Sequence, residues 1–302
     1  MRPTCERRAA RGFTLVEMIT ALVITGILAA AAAVFLRVPI AGYFDLERRA
    51  ALTDAADLAL RRLGRDLRRA LPNSLRVAGA CTGTSPCYVE YLELRSGGRY
   101  LAEPSGGATL CPAADPYTDT LQIGIADTCL RTLGATPDLA AVVAGDFLVV
   151  YNLGPGNAGA DAWASGGATG GNKSRIVSVA AGAGPNPEDR IDFESLAFPL
   201  ASPQSRFHIV SGPVTYACDP AAGTLTRVSG YAIQVAQPAP PSGGTSAPLA
   251  TGVTACSFTY DPSMAAQRAG VVSVRMELTR SDPAGTPERV SLFSQFHVSN
   301  VP

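Results

Sequence analysis

The 302-residue chain is poor in the side chains that carry most enzyme chemistry: one lysine (Lys173), two histidines (His208 and His297) and one tryptophan (Trp163). Two histidines far apart in the chain, with no C-x-x-C pair beside them, do not make a zinc site. Basic and acidic residues balance at 25 each, for a formal net charge of zero, which excludes the basic footprint of a nucleic-acid-binding domain. There is no G-x-S-x-G elbow, no H-E-x-x-H helix and no phosphate-binding lysine loop. Both histidines fall in alternating strand-like stretches, where the imidazole is a structural group. Residues 154–159 do read G-P-G-N-A-G. The glycine-rich stretch that follows cannot open the helix whose amino terminus would hold a pyrophosphate. These absences exclude the common enzyme classes, and no catalytic residue, cofactor or metal is expected. Asn157, Asp161 and Asn172 are the nearest approach to a calcium loop, with too few carboxylates to form one.

What the chain does have is one long apolar run. Residues 1–12 carry Arg2, Arg7, Arg8 and Arg11 against Glu6, and this short positive segment is expected to stay cytoplasmic. Residues 13–36 then read FTLVEMITALVITGILAAAAAVFL, long enough to cross a bilayer, with Glu17 the one ionisable group. A secretory signal peptide also has a basic start and an apolar core. Here the apolar run is longer than a signal core and continues in helical pattern. A charged side chain costs about 2.5 to 3.5 kcal/mol at the centre of a membrane helix on insertion scales, and Glu17, five residues into the run, bears part of that cost and calls for a partner charge.

The junction R-G-F-T-L-V-E-M followed by an apolar helix resembles the leader of type IV prepilins and of type II secretion pseudopilins. The resemblance implies that a prepilin peptidase cuts after Gly12 and methylates the new amino terminus at Phe13, and that the apolar helix is retained. It also implies that Glu17, the fifth mature residue, pairs with the cationic amino terminus of a neighbouring subunit during assembly. Loss of residues 1–12 removes four arginines and one glutamate, leaving 21 basic and 24 acidic residues, net −3.

Seven cysteines are present, and Cys5 lies in the leader. The remaining six (Cys81, Cys87, Cys111, Cys129, Cys218 and Cys256) all follow the apolar run, where an oxidising periplasm would let them pair. Six cysteines allow fifteen pairings. Sequential pairing is the simplest, and a 111–129 bridge would contribute about 3 kcal/mol by the loop-entropy argument.

Pro39 and Gly42 predict a kink or local break after the apolar run. Beyond it Leu52, Ala56, Leu60, Leu63, Leu67 and Leu71 recur at three- and four-residue steps as the apolar stripe of a second helical stretch, ended by Pro72. The opposite face carries Asp54, Asp57, Arg61, Arg65, Asp66 and Arg68 and is expected to be solvated, with Asp57 and Arg61 at the favourable i,i+4 spacing. The rest alternates β-rich runs with Gly, Pro, Ser and Asp turns. Strands are expected at 88–94, 120–125, 146–152, 175–179, 206–210, 214–218, 225–235, 253–260, 271–279 and 289–298. Residues 219–223 and 281–285 read as hairpin turns. Residues 154–172 and 238–248 are of low complexity and read as exposed loops, with Trp163 expected to tuck into the core.

The predicted fold class is therefore α+β and type IV pilin-like: a long amino-terminal helix on a large antiparallel β-rich domain. Its expected parts are a cleaved leader (1–12), a transmembrane half-helix (13–36), an amphipathic half-helix (37–71) and a periplasmic β domain (72–302). Residues 48–74, 206–218 and 293–302 further resemble minor pilins of mannose-sensitive haemagglutinin (MSHA) type pili. The J-type pseudopilins of type II secretion share this architecture. The resemblance implies a processed, inner-membrane-anchored subunit that ends on the cell surface. Its implied partners are prepilin peptidase, other minor pilins, a major pilin and the assembly platform with its ATPase. The alternative readings are a J-type minor pseudopilin of a type II secretion system and a tip-located binding subunit using the 154–172 or 238–248 loop.

Overall fold

The computed structural model describes residues 12–103, 111, 119–164, 169–184, 187–261, 269–282 and 285–302. The basic leader up to residue 11, Cys5 included, lies outside these. Helix α1 spans Leu15–Leu67. Its helical assignment runs through Pro39, so the chain does not leave the helix there. The chain divides into two compact units, Met1–Ala51 and Leu52–Pro302.

In the second unit, α1 ends at Leu67 rather than Leu71. The Arg69 and Ala70 amides fold back onto the Asp66 and Leu67 carbonyls, and the Leu71 amide then pairs with the Leu92 carbonyl at 2.8 Å. Sheet pairing has taken over before Pro72 is reached. The strands are β1 (Arg76–Gly79), β2 (Cys87–Arg99), β3 (Asp127–Arg131), β4 (Phe147–Val150), β5 (Thr169–Gly170), β6 (Lys173–Ala180), β7 (Arg190–Leu196), β8 (Arg206–Asp219), β9 (Thr224–Ser229), β10 (Thr245–Thr251), β11 (Val253–Tyr260), β12 (Ala269–Ser281) and β13 (Pro287–Ser299). A ten-stranded sheet follows the order β1-β2-β8-β4-β6-β7-β3, with β9 and β10 branching from β8 and β5 from β6, and β11-β12-β13 form a second sheet. All strand pairs are antiparallel, and the class is α+β.

Strand β8 organises the large sheet. One edge pairs with β2 along its whole length, while the other pairs with β4 over Phe207–Val210 and with β9 over Val214–Asp219. Gly212 and Pro213 fall between those two partners, where no ladder bond is required on that side, so the two runs expected at 206–210 and 214–218 are one strand. The 225–235 expectation is shortened for a related reason. Gly230 takes a positive φ of 78° and turns the chain out of the sheet after Ser229. Residues 120–125 form no strand, only a bridge from Ile123 to Phe198. Strands β1 and β3 are too short to be read, β7 is masked by its Asp and Glu, residue types depleted in strands, and β10 begins inside the stretch read as a loop because Pro248 sits at a register shift on a sheet edge.

The stripe on α1 is buried as its spacing predicts: Leu52, Ala56, Ala59, Leu60, Leu63 and Leu67 pack in one core with Val89, Tyr91, Val214 and Tyr216 of the large sheet and Phe258, Val272, Val274, Met276 and Leu278 of the small one. A second core joins Leu148, Ile176, Ile191, Phe193, Phe198 and Phe207 at the far end of the large sheet. Asp66 corrects the expectation of a solvated face. It is buried, accepting from Tyr216 Oη at 2.8 Å and Arg227 Nε at 2.9 Å, because β8 and β9 reach around to that side of the helix. Asp57 and Arg61 do form the exposed i,i+4 pair, at 2.6 Å.

The cysteines are joined 81 to 87, 111 to 129 and 218 to 256. Cys218–Cys256 links β8 of the large sheet to β11 of the small one.

Gly64 marks the closest approach of α1 to the small sheet, since a Cβ there would lie 2.3 Å from a ring carbon of Phe296. Gly64→Leu is expected to destabilise the domain by about 2 kcal/mol through overpacking. In equilibrium urea unfolding, Phe296→Ala should recover part of that loss; strict additivity of the two changes would show that the contact is not tight.

Candidate functional site

The candidate site lies at the start of α1, in the first compact unit. Phe13 is exposed, at 75%. Thr14 caps the helix: its hydroxyl oxygen accepts the Glu17 amide at 3.3 Å, and its carbonyl accepts the Met18 amide at 3.1 Å. T-x-x-E before an apolar run is the sequence signature of a capping box, a signal that reading Glu17 only as an assembly charge passes over. Glu17 lies in the first turn, where a carboxylate also meets the positive end of the helix dipole. Among the described residues a Cβ on Gly12 would meet no atom within 4 Å, so their packing makes no steric demand for glycine there.

Residues Leu15–Leu36 form a span long and apolar enough to cross a membrane, with a mean hydropathy of 2.5, and its side chains are exposed in the isolated chain. In a bilayer each polar group needs a partner from the protein itself. Thr20 donates to the Val16 and Glu17 carbonyls at 3.0 Å each, and Thr25 to the Ala21 carbonyl at 2.6 Å. The Glu17 carboxylate differs: among the described residues it has no hydrogen bond or ion pair.

The other residues singled out by the sequence are structural. Trp163 is fully buried, its indole N–H donating to the Ser74 carbonyl at 2.9 Å and its ring lying 3.6 Å from the Arg76 guanidinium. The 154–172 stretch is thus not simply an exposed loop, since residues 160–163 are held inside by that tryptophan. Residues 165–168 lie outside the described set. Asp161 spends its two carboxylate oxygens on the Gly156 and Trp163 amides. Asn157 donates to the Leu153 and Gly154 carbonyls, and Asn172 to the Tyr151 carbonyl. The three are spread over turn-forming bonds rather than gathered on one cation. Among the described residues no group of three His, Cys, Asp or Glu side chains is placed to hold a metal. Lys173, buried on β6, donates to the Ala164 carbonyl, and burial lowers it to about 8.

Among the cavities formed by the described residues of the β domain, two bear on the residues singled out above. One of about 350 Å³ lies where β4 and β9 part beside Gly212, lined by Phe147, Lys173, Arg175 and Tyr231. The other, of about 410 Å³, is lined by Arg68, Arg99, Arg206 and His208. His208 Nδ1 is buried with no hydrogen-bond partner among the described residues. Burial first, and the nearby Arg206 charge second, lower its pKa to about 4. It is neutral at pH 7 and poorly suited to proton transfer there. His297 lies on the exposed face of β13.

The family described as Prokaryotic N-terminal methylation motif matches residues 7–33. The chain carries a prepilin-type processing motif. The match supports a type IV pilin-like family, indicates a pilin- or pseudopilin-type substrate of prepilin peptidase, and points to a structural subunit that assembles with other pilins. The apolar helix is consistent with a membrane-anchored pilin. No curated protein and no solved structure matches the chain.

The depressed pKa of His208 sets a pH dependence. Its folded value lies below the unfolded value of 6.5, so the unfolded chain binds the extra proton between those limits. Stability from this group is complete above pH 6.5 and is lost as pH falls towards 4, at up to about 1.4 kcal/mol per pH unit. Chemical denaturation from pH 7 to 4 should show a shallower loss for His208→Gln than for the parent, and identical slopes would refute the assignment.

Proposed function

We propose that the chain is a minor pilin, MshO-like, of an MSHA-type pilus, that helps initiate or cap filament assembly. It is cut after Gly12 on the cytoplasmic side and methylated at Phe13. It is held by residues 13–36 in the inner membrane, with its disulfide-bonded domain in the periplasm, and passes into the filament with other minor pilins and the major pilin.

The observation that carries this reading is the Glu17 carboxylate. It is the polar side-chain group of the apolar span that the helix does not satisfy, five residues after the cleavage point that the motif implies. Cleavage after Gly12 creates a cationic amino terminus at Phe13, and the amine of a neighbouring subunit supplies the charge that Glu17 lacks. Bringing the two together offsets part of the desolvation cost of each. The freedom around Gly12 fits as well, because the demand for glycine then comes from the peptidase and not from this fold. Three disulfides fit an oxidising compartment. The inward turn of Trp163 removes the aromatic anchor that a binding role for the 154–172 loop would use.

Intact-mass and amino-terminal peptide analysis of the chain from its membrane should give N-methylated Phe13 as the first residue, and any other start would remove the prepilin reading. Gly12→Ala is expected to slow cleavage at least tenfold in a pulse-chase assay while leaving domain stability unchanged. For Glu17→Ala the expected result is normal cleavage with filament incorporation reduced severalfold by immunoblotting of sheared filaments. Undiminished incorporation would sink the charge-pairing role.

A further inference from the structure

Every exposed strand edge is a template for pairing with another chain, and proteins blunt such edges with short strands, prolines, bulges or charge. In the large sheet β1 has four residues, β3 has five and a register shift, β5 has two, and β10 carries Pro248 at a shift. In the small sheet the outer edge of β11 is covered by the disulfide loop: the Cys256 amide donates to the Gly83 carbonyl at 2.7 Å and the Phe258 amide to Cys87 Sγ at 3.4 Å.

Strand β13 has none of these devices over most of its length. It is thirteen residues long and pairs with β12 without a register shift, from Ser281 opposite Pro287 to Ala269 opposite Ser299. Among the described residues it has no second partner strand. Pro287, Glu288 and Arg289 guard its first end. The remaining ten residues, VSLFSQFHVS, contain no Asp, Glu, Lys, Arg, Pro or Gly.

The inner face of β13 is also incomplete. Leu278, Met276 and Val272 of β12 are buried to 1% exposure or less. Their direct partners Val290, Leu292 and Phe296 on β13 are only partly buried against the same core. The apolar layer beneath the helix therefore runs off the sheet at its open edge. On the outer face Phe293 is 64% exposed. An added strand would satisfy the free backbone groups, and apolar side chains at its alternate positions would cover Val290, Leu292 and Phe296.

We propose that β13 is a docking edge that takes an extended segment of a different pilin-type subunit as a fourth strand of the small sheet, through backbone hydrogen bonds and an alternating apolar row. The identity of the occupant rests on the function proposed above, which sets the chain among other pilin-type subunits. The edge itself rests on the strand.

Hydrogen–deuterium exchange at residue resolution tests this on the full-length chain in detergent, alone and co-produced with its filament subunits, with co-purification scored separately. Alternate amides within residues 290–299 should exchange at least tenfold more slowly in the assembly. Phe293→Pro and Ser294→Pro form a matched pair, because neighbouring N–H groups in a strand point to opposite edges. The variant that keeps the β12 amides protected should lose the slowing and co-purify less. Co-purification with unchanged β13 exchange would overturn the docking edge and leave assembly standing. Failure to co-purify would overturn the assembly reading and the named occupant with it. Slowing that appears in the chain alone and rises with its concentration would identify a second copy as the occupant and refute a different subunit.

Discussion

The dry face of α1 between Leu52 and Leu67 is the constraint on which the β domain depends. Six small or leucine side chains there fill the space against β2 and β8 of one sheet and β11 to β13 of the other, so the helix is the common floor that joins two separately hydrogen-bonded sheets. Burying four leucines contributes on the order of 6 to 12 kcal/mol before conformational entropy is counted, a large share of what a domain needs. The stripe also dictates local chemistry. Gly64 is where the helix meets the Phe296 ring without room for a Cβ, and Asp66 is buried beside the stripe with its charge balanced by Arg227 and Arg62 and a hydrogen bond donated by Tyr216.

A second buried knot ties distant segments of the β domain together. Arg76 of β1 pairs with Glu90 at 2.5 Å, donates to the Gln234 and Val235 carbonyls, and lies over the Trp163 ring. Tyr231 donates to the other Glu90 oxygen at 2.6 Å. One guanidinium thus ties an edge strand, the chain leaving β9 and the glycine-rich segment to a single carboxylate. Such a network is costly to leave half made.

Much of the architecture was legible in the sequence because the responsible signals are local and periodic. The apolar run, the stripe at three- and four-residue steps, the hairpin turn at 219–223, and strands such as 253–260 and 271–279 each announce themselves within a dozen residues. The strands that escaped notice are short, charged or interrupted. β7 mixes Asp and Glu into its alternation, β10 carries a proline, and β8 looked like two strands because a Gly-Pro step interrupts it. In the candidate site the acid at Glu17 was plain, whereas the capping role of Thr14 needed the helix start to be placed.

By itself the sequence determined that this chain has one membrane-length helix with an isolated acid near its start, a prepilin-type junction before it, an even set of cysteines beyond it and a β-rich remainder. Tertiary structure alone decided which of the possible cysteine pairings forms, that Asp66 faces inward, that His208 is held neutral and that β13 is left as the open edge. The division has a physical cause. Periodicity and composition act between residues close in the chain, while pairing, desolvation and edge exposure depend on what distant segments bring to the same place.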